Sequence, residues 1–146
     1  MIKAKDLRIG DLVIVNENCS LEQGTIGKVS EVRSTPLYKE NEGSIGLKPI
    51  SNDRWPWGVL CRNIDPIPLT PEILKKNGWR KRTEGWYFMM ISKYMYLSVE
   101  FGYENGIRVF LKRTTDGLYV KLNVANNVHE LQHILWALGK DANLKI

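Results

Sequence analysis

Two histidines and a glutamate near the end of the chain have the spacing of a zinc-hydrolase motif. Residues 129–133 read His-Glu-Leu-Gln-His, which is the H-E-x-x-H pattern. On a helix this spacing puts His129 and His133 one turn apart, where both can bind Zn²⁺ while Glu130 acts as general base toward a metal-bound water. A zinc-dependent hydrolase that uses these three residues is therefore one hypothesis for the function.

The remaining sequence does not complete this zinc site. A catalytic zinc needs three protein ligands and an open position, and the chain contains no histidine besides His129 and His133. The extended motif would have Gly at position 136 and His at position 139, where this chain has Trp136 and Gly139. No motif designates a third ligand, so we expect no metal and no other cofactor.

The helix that carries the motif also has an apolar stripe. Its members recur at helical spacing and are Val128, Leu131, Ile134, Leu135 and Leu138. At about 100° per residue, His129 and His133 lie roughly 170° from the centre of that stripe. We therefore expect both histidines on a solvated face, whereas the ligands of a catalytic zinc point inward. Asn127 and Glu130 have the spacing of a capping box at the start of this helix.

Three segments resemble a known protein family. They are residues 7–13 (Leu-Arg-Ile-Gly-Asp-Leu-Val), residues 64–70 (Ile-Asp-Pro-Ile-Pro-Leu-Thr) and residues 128–138. The family comprises small proteins common in Bacteroidales genomes, their phages and mobile elements, and it carries no assigned activity. Its members commonly have Gln and Asn at the positions of Glu130 and His133, so the resemblance implies that these residues form no zinc site.

Composition and charge are those of a small intracellular protein. The 146 residues are 43% hydrophobic and 25% charged, enough for a core without disulfides. No apolar run could span a bilayer and the first residues do not form a signal peptide, while Cys19 and Cys61 form no C-x-x-C motif. We expect a cytoplasmic protein without a membrane partner. The excess of positive charge lies entirely in residues 70–146, with twelve basic and seven acidic side chains, which indicates an acidic partner.

Short strands separated by Gly, Asn, Asp and Pro characterise the first half of the chain. They are predicted at residues 12–15, 25–32, 46–48 and 58–61. We predict that residues 1–66 form a small SH3-like β-barrel. Gly-Asp-x-Val at 10–13 and Gly-x-x-Gly-x-Val at 24–29 resemble the KOW version of this barrel, which implies a ribosome- or transcription-associated protein. A barrel without that role is the alternative.

The second half is predicted to be an α-β-β-β-β-α domain over residues 70–146, which makes the chain α+β. Pro66 and Pro68 form an extended hinge before it. Thr70 caps a helix with Pro71 at its first position. The basic run that follows is assigned to the last turn of this helix and a solvated loop, with a binding patch as the alternative; its members are Lys75, Lys76, Arg80, Lys81 and Arg82. Strands are predicted at 86–91, 94–101, 107–113 and 118–124, with hairpin turns at Asn105-Gly106 and Asp116-Gly117.

Alternation along these strands divides the predicted antiparallel sheet into two faces. One face packs on the helices, and on the last strand it carries Leu118, Val120, Leu122 and Val124. The other face mixes aromatic and cationic side chains, which are Tyr96, Arg108, Phe110, Lys112, Tyr119 and Lys121. Rings that alternate with cations can stack on unpaired bases. They also stabilise ordinary antiparallel sheets, and this face could pack on the N-terminal barrel instead.

These observations favour a non-enzymatic binding or adaptor protein whose partner is another protein, in a phage or mobile element. Single-stranded nucleic-acid binding through the aromatic and cationic face is the first alternative. Zinc-dependent hydrolysis by residues 129–133 is the second.

Overall fold

The computed structural model describes residues 2–17, 19–33, 43–51 and 55–146. The protein is α+β, with two five-stranded antiparallel sheets and few helices. It divides into two compact units, Met1–Ile67 and Pro68–Ile146. Within the described residues, every helix is too short or too polar to cross a membrane.

The sheet of the first unit has the strand order β4-β3-β2-β1-β5. Its strands are β1 (Leu12–Val15), β2 (Ile26–Arg33), β3 (Ser44–Pro49), β4 (Trp57–Leu60) and β5 (Ile64–Pro66). Single 3-10 turns lie at Ala4–Asp6 and Cys61–Asn63. Alternate residues of the strands, among them Val13, Val29 and Leu47, are fully buried and form one apolar cluster. The four predicted strands are confirmed, with bounds that differ by a few residues.

Two details of the first unit differ from the sequence predictions. In the part of the chain that the structure describes, β4 and β5 are the two edges and no ladder joins them, so the predicted barrel is not closed. Pro66 does not begin a hinge, because it lies in β5 opposite Val13 of β1. A proline is tolerated there because β5 is an edge strand, where one side of the backbone needs no hydrogen-bond partner.

The second unit is a meander with the strand order β10-β9-β8-β7-β6. Its elements are α1 (Pro71–Lys76), β6 (Arg80–Thr83), β7 (Trp86–Ser92), β8 (Met95–Glu100), β9 (Arg108–Arg113), β10 (Tyr119–Val124) and α2 (Val128–Ala137). The start of α1 is confirmed, since the Thr70 hydroxyl accepts from the Ile73 backbone and Pro71 is the first helical residue. The capping box of α2 is also confirmed, because the Glu130 carboxylate accepts from the Asn127 backbone at 2.9 Å.

The sheet has five strands where the sequence predicted four. Residues 80–83 read Arg-Lys-Arg-Thr and were assigned to a loop, but they form β6 and pair with β7. All four residues are exposed. An edge strand that is exposed on both faces has no apolar alternation, so the usual sequence signal for a strand is missing.

The hairpin turn before β9 provides a test of the packing in the second unit. Gly106 has a φ of +92°, and a Cβ there would overlap the side-chain amide of Asn126, which accepts from the Ile107 backbone at 2.9 Å. Gly117 also has a positive φ of +72°, but a Cβ there would meet nothing. We expect Gly106→Ala to lower the free energy of unfolding by about 3 kcal/mol and Gly117→Ala by about 1 kcal/mol. Equal losses in urea denaturation would contradict this difference.

Candidate binding face of the second sheet

Strand register defines the face of the second sheet that carries the predicted binding residues. Tyr119, Lys112 and Tyr96 lie opposite one another on β10, β9 and β8. Lys121 lies opposite Phe110 in the adjacent row. Paired residues and residues two apart on a strand share a face. The structure therefore places all six predicted residues on one side, here named the aromatic face: Tyr96, Arg108, Phe110, Lys112, Tyr119 and Lys121.

The centre of the aromatic face holds a buried ion pair. The Lys112 ammonium lies 2.6 Å from the Glu100 carboxylate, and their side chains are only 12% and 4% exposed. Glu100 also accepts from the Ser98 hydroxyl at 3.3 Å and from the Tyr103 hydroxyl at 3.1 Å. The carboxylate is therefore fully engaged by its neighbours. The Lys112 ammonium also lies 4.0 Å from the centroid of the Trp86 ring. It therefore interacts with both a carboxylate and the face of an aromatic ring.

Tyr103 connects this ion pair to Arg108. The Arg108 guanidinium carbon lies 3.8 Å from the centroid of the Tyr103 ring, while the hydroxyl of the same ring donates to Glu100. The hydrogen bond to the Glu100 carboxylate raises the pKa of Tyr103 above its usual value, since losing the proton would leave two facing anions.

The first strand of the sheet adds two cations that the sequence analysis did not assign to this face. Arg80 lies opposite Phe88, which belongs to the row of Phe110. The Arg82 guanidinium carbon lies 5.6 Å from the centroid of the Trp86 ring, and the Nη1 group of the same side chain donates to the Tyr96 hydroxyl at 3.3 Å. They were missed because residues 80–83 were assigned to a loop, and Trp86 and Phe88 were missed because their own strand was not placed in register with β8.

The charge of the aromatic face is strongly positive. Its cations are Arg80, Arg82, Arg108, Lys112 and Lys121. Within the described strands β6 to β10, Glu100 is the only acidic residue, and Lys112 neutralises it. Four cations therefore remain around the rings of the face.

The predicted binding residues differ in their access to solvent. Tyr119 is 65% exposed, and Lys121 is exposed beside it. Phe110 is buried, with its ring in edge-to-face contact with Tyr119 at 5.6 Å. Phe110 and Lys112 therefore lie beneath the surface of the face, whereas Tyr119 and Lys121 are accessible to solvent.

The opposite side of β10 corrects a second expectation. Leu118 and Val120 were predicted to pack on the helices, but they are 61% and 62% exposed. Only the far end of the strand meets α2, where Leu122, Asn123 and Val124 line a cavity of about 480 Å³ with residues of that helix. Helix α2 is too short to cover the whole of β10.

The H-E-x-x-H segment lies on α2, but its residues have other partners. The Glu130 carboxylate accepts from both the backbone and the side-chain amide of Asn127 at 2.9 Å and 3.2 Å. The prediction that both histidines are solvated is wrong for His129, which is 5% exposed. Gln132, one turn along, donates to the Ala142 carbonyl at 2.9 Å, so the segment after α2 covers this side of the helix. The His133 ring stacks on Trp136.

The surroundings of these two histidines offer no set of metal ligands. The His129 and His133 ring centroids lie 5.8 Å apart, in edge-to-face orientation. Within residues 2–17, 19–33, 43–51 and 55–146, no group of three or more His, Cys, Asp or Glu side chains could hold a metal ion.

Comparisons with known proteins add no further assignment. Protein-family models, curated proteins and solved structures were compared with the chain, and none matched it significantly.

The buried ion pair can be tested by removing one of its charges. Glu100→Gln keeps a hydrogen-bond acceptor but leaves the Lys112 ammonium without a counter-charge. We expect it to lower the free energy of unfolding by on the order of 3 kcal/mol, as measured by urea denaturation. Glu104→Gln, at an exposed position four residues along, is the matched control and should have little effect. Equal effects of the two substitutions would show that the ion pair does not stabilise the sheet.

The ionisation of Tyr103 provides a separate test of the same cluster. Because its folded pKa is raised, the hydrogen bond to Glu100 stabilises the fold fully below the ordinary tyrosine pKa of about 10. That contribution is lost as the pH rises through the folded pKa. In a titration of tyrosinate absorbance, one of the six tyrosines should ionise late. Tyr103→Phe should remove that late step and Glu100→Gln should bring it earlier; an unchanged profile in both variants would contradict the assignment.

Proposed function

We propose that this chain is a non-enzymatic binding protein that takes single-stranded nucleic acid on the aromatic face. The observation that carries the proposal is the arrangement of cations among rings across five adjacent strands. Glu100, the only carboxylate within the described strands β6 to β10, is already neutralised by Lys112. Unpaired bases stack on aromatic rings whatever their sequence, and the phosphates between them are attracted by Lys and Arg.

The rings of the face are suited to stacking. Tyr119 is exposed on β10, while Trp86, Phe88 and Tyr96 are partly exposed on the middle strands. Phe88 and Tyr96 contact each other edge to face, at 5.9 Å between centroids. These mutual contacts hold the rings in fixed orientations, so less side-chain entropy is lost when a base stacks on them.

The cations are suited to a phosphate backbone. Arg80 on β6 and Lys121 on β10 stand at opposite edges of the face, four strand spacings or about 19 Å apart. Between them, the Arg108 guanidinium lies over the Tyr103 ring, with its carbon 3.8 Å from the ring centroid, so the orientation of this cation is fixed before a phosphate arrives.

Three further assignments belong to the same proposal. We propose that residues 1–66 form an SH3-like barrel, because β1 pairs with both β2 and β5 and a register shift at Val29/Glu31 bends β2. The resemblance of residues 7–13, 64–70 and 128–138 supports an origin in a phage or mobile element. The free thiols of Cys19 and Cys61 support a cytoplasmic location, where cysteines stay reduced.

Binding is tested with a fluorescent single-stranded oligonucleotide of about 10 nucleotides, followed by anisotropy at increasing salt. We expect the affinity to fall steeply with salt, because Lys and Arg displace counterions from phosphates. Tyr119→Ala removes an exposed ring and should weaken binding about tenfold, given roughly 1–3 kcal/mol per stacked base. Arg80→Ala and Lys121→Ala should each weaken binding and lower the salt dependence.

Matched controls separate the aromatic face from the general charge of the protein. Trp55 is an exposed ring on the first unit and Lys5 an exposed cation there, so Trp55→Ala and Lys5→Ala should leave binding unchanged. No binding at low salt, or equal losses in the control variants, would refute the proposal.

A further inference from the structure

The outer edge of β10 presents backbone groups that no strand of the described chain pairs with. The Arg113 amide donates to the Leu118 carbonyl, so these two residues form a hydrogen-bonded pair. Hydrogen-bonded and non-hydrogen-bonded pairs alternate along antiparallel strands. The next pair, Tyr119 with Lys112, is therefore non-hydrogen-bonded, and so is Lys121 with Phe110. The N–H and C=O groups of Tyr119 and Lys121 therefore point away from β9, at the open edge of the sheet.

The side chains at this edge are mostly apolar. Leu118, Tyr119 and Val120 are consecutive and each more than 60% exposed. Proteins usually protect a free sheet edge with charges, prolines or a covering segment. The opposite edge follows that rule, since β6 reads Arg-Lys-Arg-Thr. Of the two edges of this sheet, β10 is the apolar one, and its regular segment up to Lys121, before the register shift between Lys121 and Asn123, is suited to pairing with another strand.

We propose that β10 pairs antiparallel with β10 of a second copy of this chain, with the two-fold axis at Val120. In this register Tyr119 of each copy faces Lys121 of the other. Because both residues direct their backbone groups outward, the two pairs make four N–H···O=C hydrogen bonds. The two sheets become one sheet of ten strands.

The side chains support a second copy as the occupant because this edge is complementary to itself. Val120 meets Val120 of the second copy at the axis, as an apolar pair on the side away from the aromatic face. Tyr119 meets Lys121 of the second copy on the aromatic face, where a cation–π contact forms. The register keeps the two copies of Lys121 apart, so like charges do not oppose each other.

The cavity between β10 and α2 adds an apolar contact. In the same register, Leu118 of one copy lies opposite Leu122 of the other. Leu122 lines this cavity together with Ile134, Ala137 and Leu138, and with the polar side chains of Asn123, Glu130 and His133. Leu118 is thus brought beside Leu122, at the rim of an opening with a mixed apolar and polar lining. The pairing shares Tyr119 and Lys121 with the proposed nucleic-acid face, whereas Leu118 and Val120 lie on the other side of the sheet. Substitutions of Leu118 and Val120 therefore test the pairing separately from nucleic-acid binding.

Sedimentation equilibrium of the full chain without nucleic acid tests the association. We expect a mass that rises from monomer to dimer with concentration. Val120→Lys places two ammonium groups at the axis and should raise the dimer dissociation constant by about tenfold or more. Ile9→Lys is the matched control, because Ile9 is an equally exposed apolar residue on the first unit. A monomer at all concentrations, or equal weakening by the control, would overturn the proposal.

Cysteine cross-linking tests the register. With the exposed Cys19 replaced by Ser, Val120→Cys places two thiols at a non-hydrogen-bonded pair. Their Cα atoms are about 4.5 Å apart, within the range of a disulfide, which forms when the two thiols are oxidised by dissolved oxygen. Leu118→Cys is equally exposed but faces Leu122 of the second copy, so it should not cross-link. We expect a covalent dimer from the first variant alone. Equal cross-linking of both variants, or of neither, would overturn the register and with it the proposal.

Discussion

The Glu100 carboxylate is buried in the aromatic face, and the residues around it are arranged so that its charge is neutralised and its oxygens accept hydrogen bonds. A buried carboxylate is costly unless it is paired and hydrogen-bonded. Three groups meet this need: Lys112 on β9, Ser98 on β8 and Tyr103 in the loop between these strands. Together they hold one hairpin in register and order its loop. Lys112 also contacts the ring of Trp86, and this contact extends the network to β7.

This network also determines the chemistry of the surface. By neutralising Glu100, Lys112 leaves the remaining cations of the face without a competing carboxylate on the strands. A desolvated ion pair is screened little by salt, whereas exposed arginines and lysines are screened strongly. The scaffold and the contacts of the proposed ligand therefore differ in the salt dependence we expect of them. Under the proposed function, a charged ligand would dissociate at high salt while the structure of the face stays intact.

The two edges of the second sheet show how one meander can carry two kinds of surface. β6 is cationic and exposed, and it contributes Arg80 and Arg82 to the aromatic face. β10 exposes apolar side chains at its free edge, because α2 covers only the last residues of this strand. The side chains of Tyr119 and Lys121 in β10 belong to the aromatic face. The backbone N–H and C=O groups of the same two residues point to the open edge of the sheet.

The sequence by itself determined what depends on near neighbours. Strand alternation placed the six predicted residues on one face, and Thr70 and Glu130 marked the starts of α1 and α2, because these signals act within a few positions. Tertiary structure alone decided which side chains are buried and that residues 80–83 form a strand. It also decided which partners the residues of the H-E-x-x-H pattern have. Three features depend on residues outside the local sequence, ten or more positions away where a partner is involved. They are the cover over His129, the exposure of Val120 and the pairing of Lys112 with Glu100. Local spacing cannot specify which distant surface meets a side chain, so it predicted the capping box of α2 but not the burial of His129.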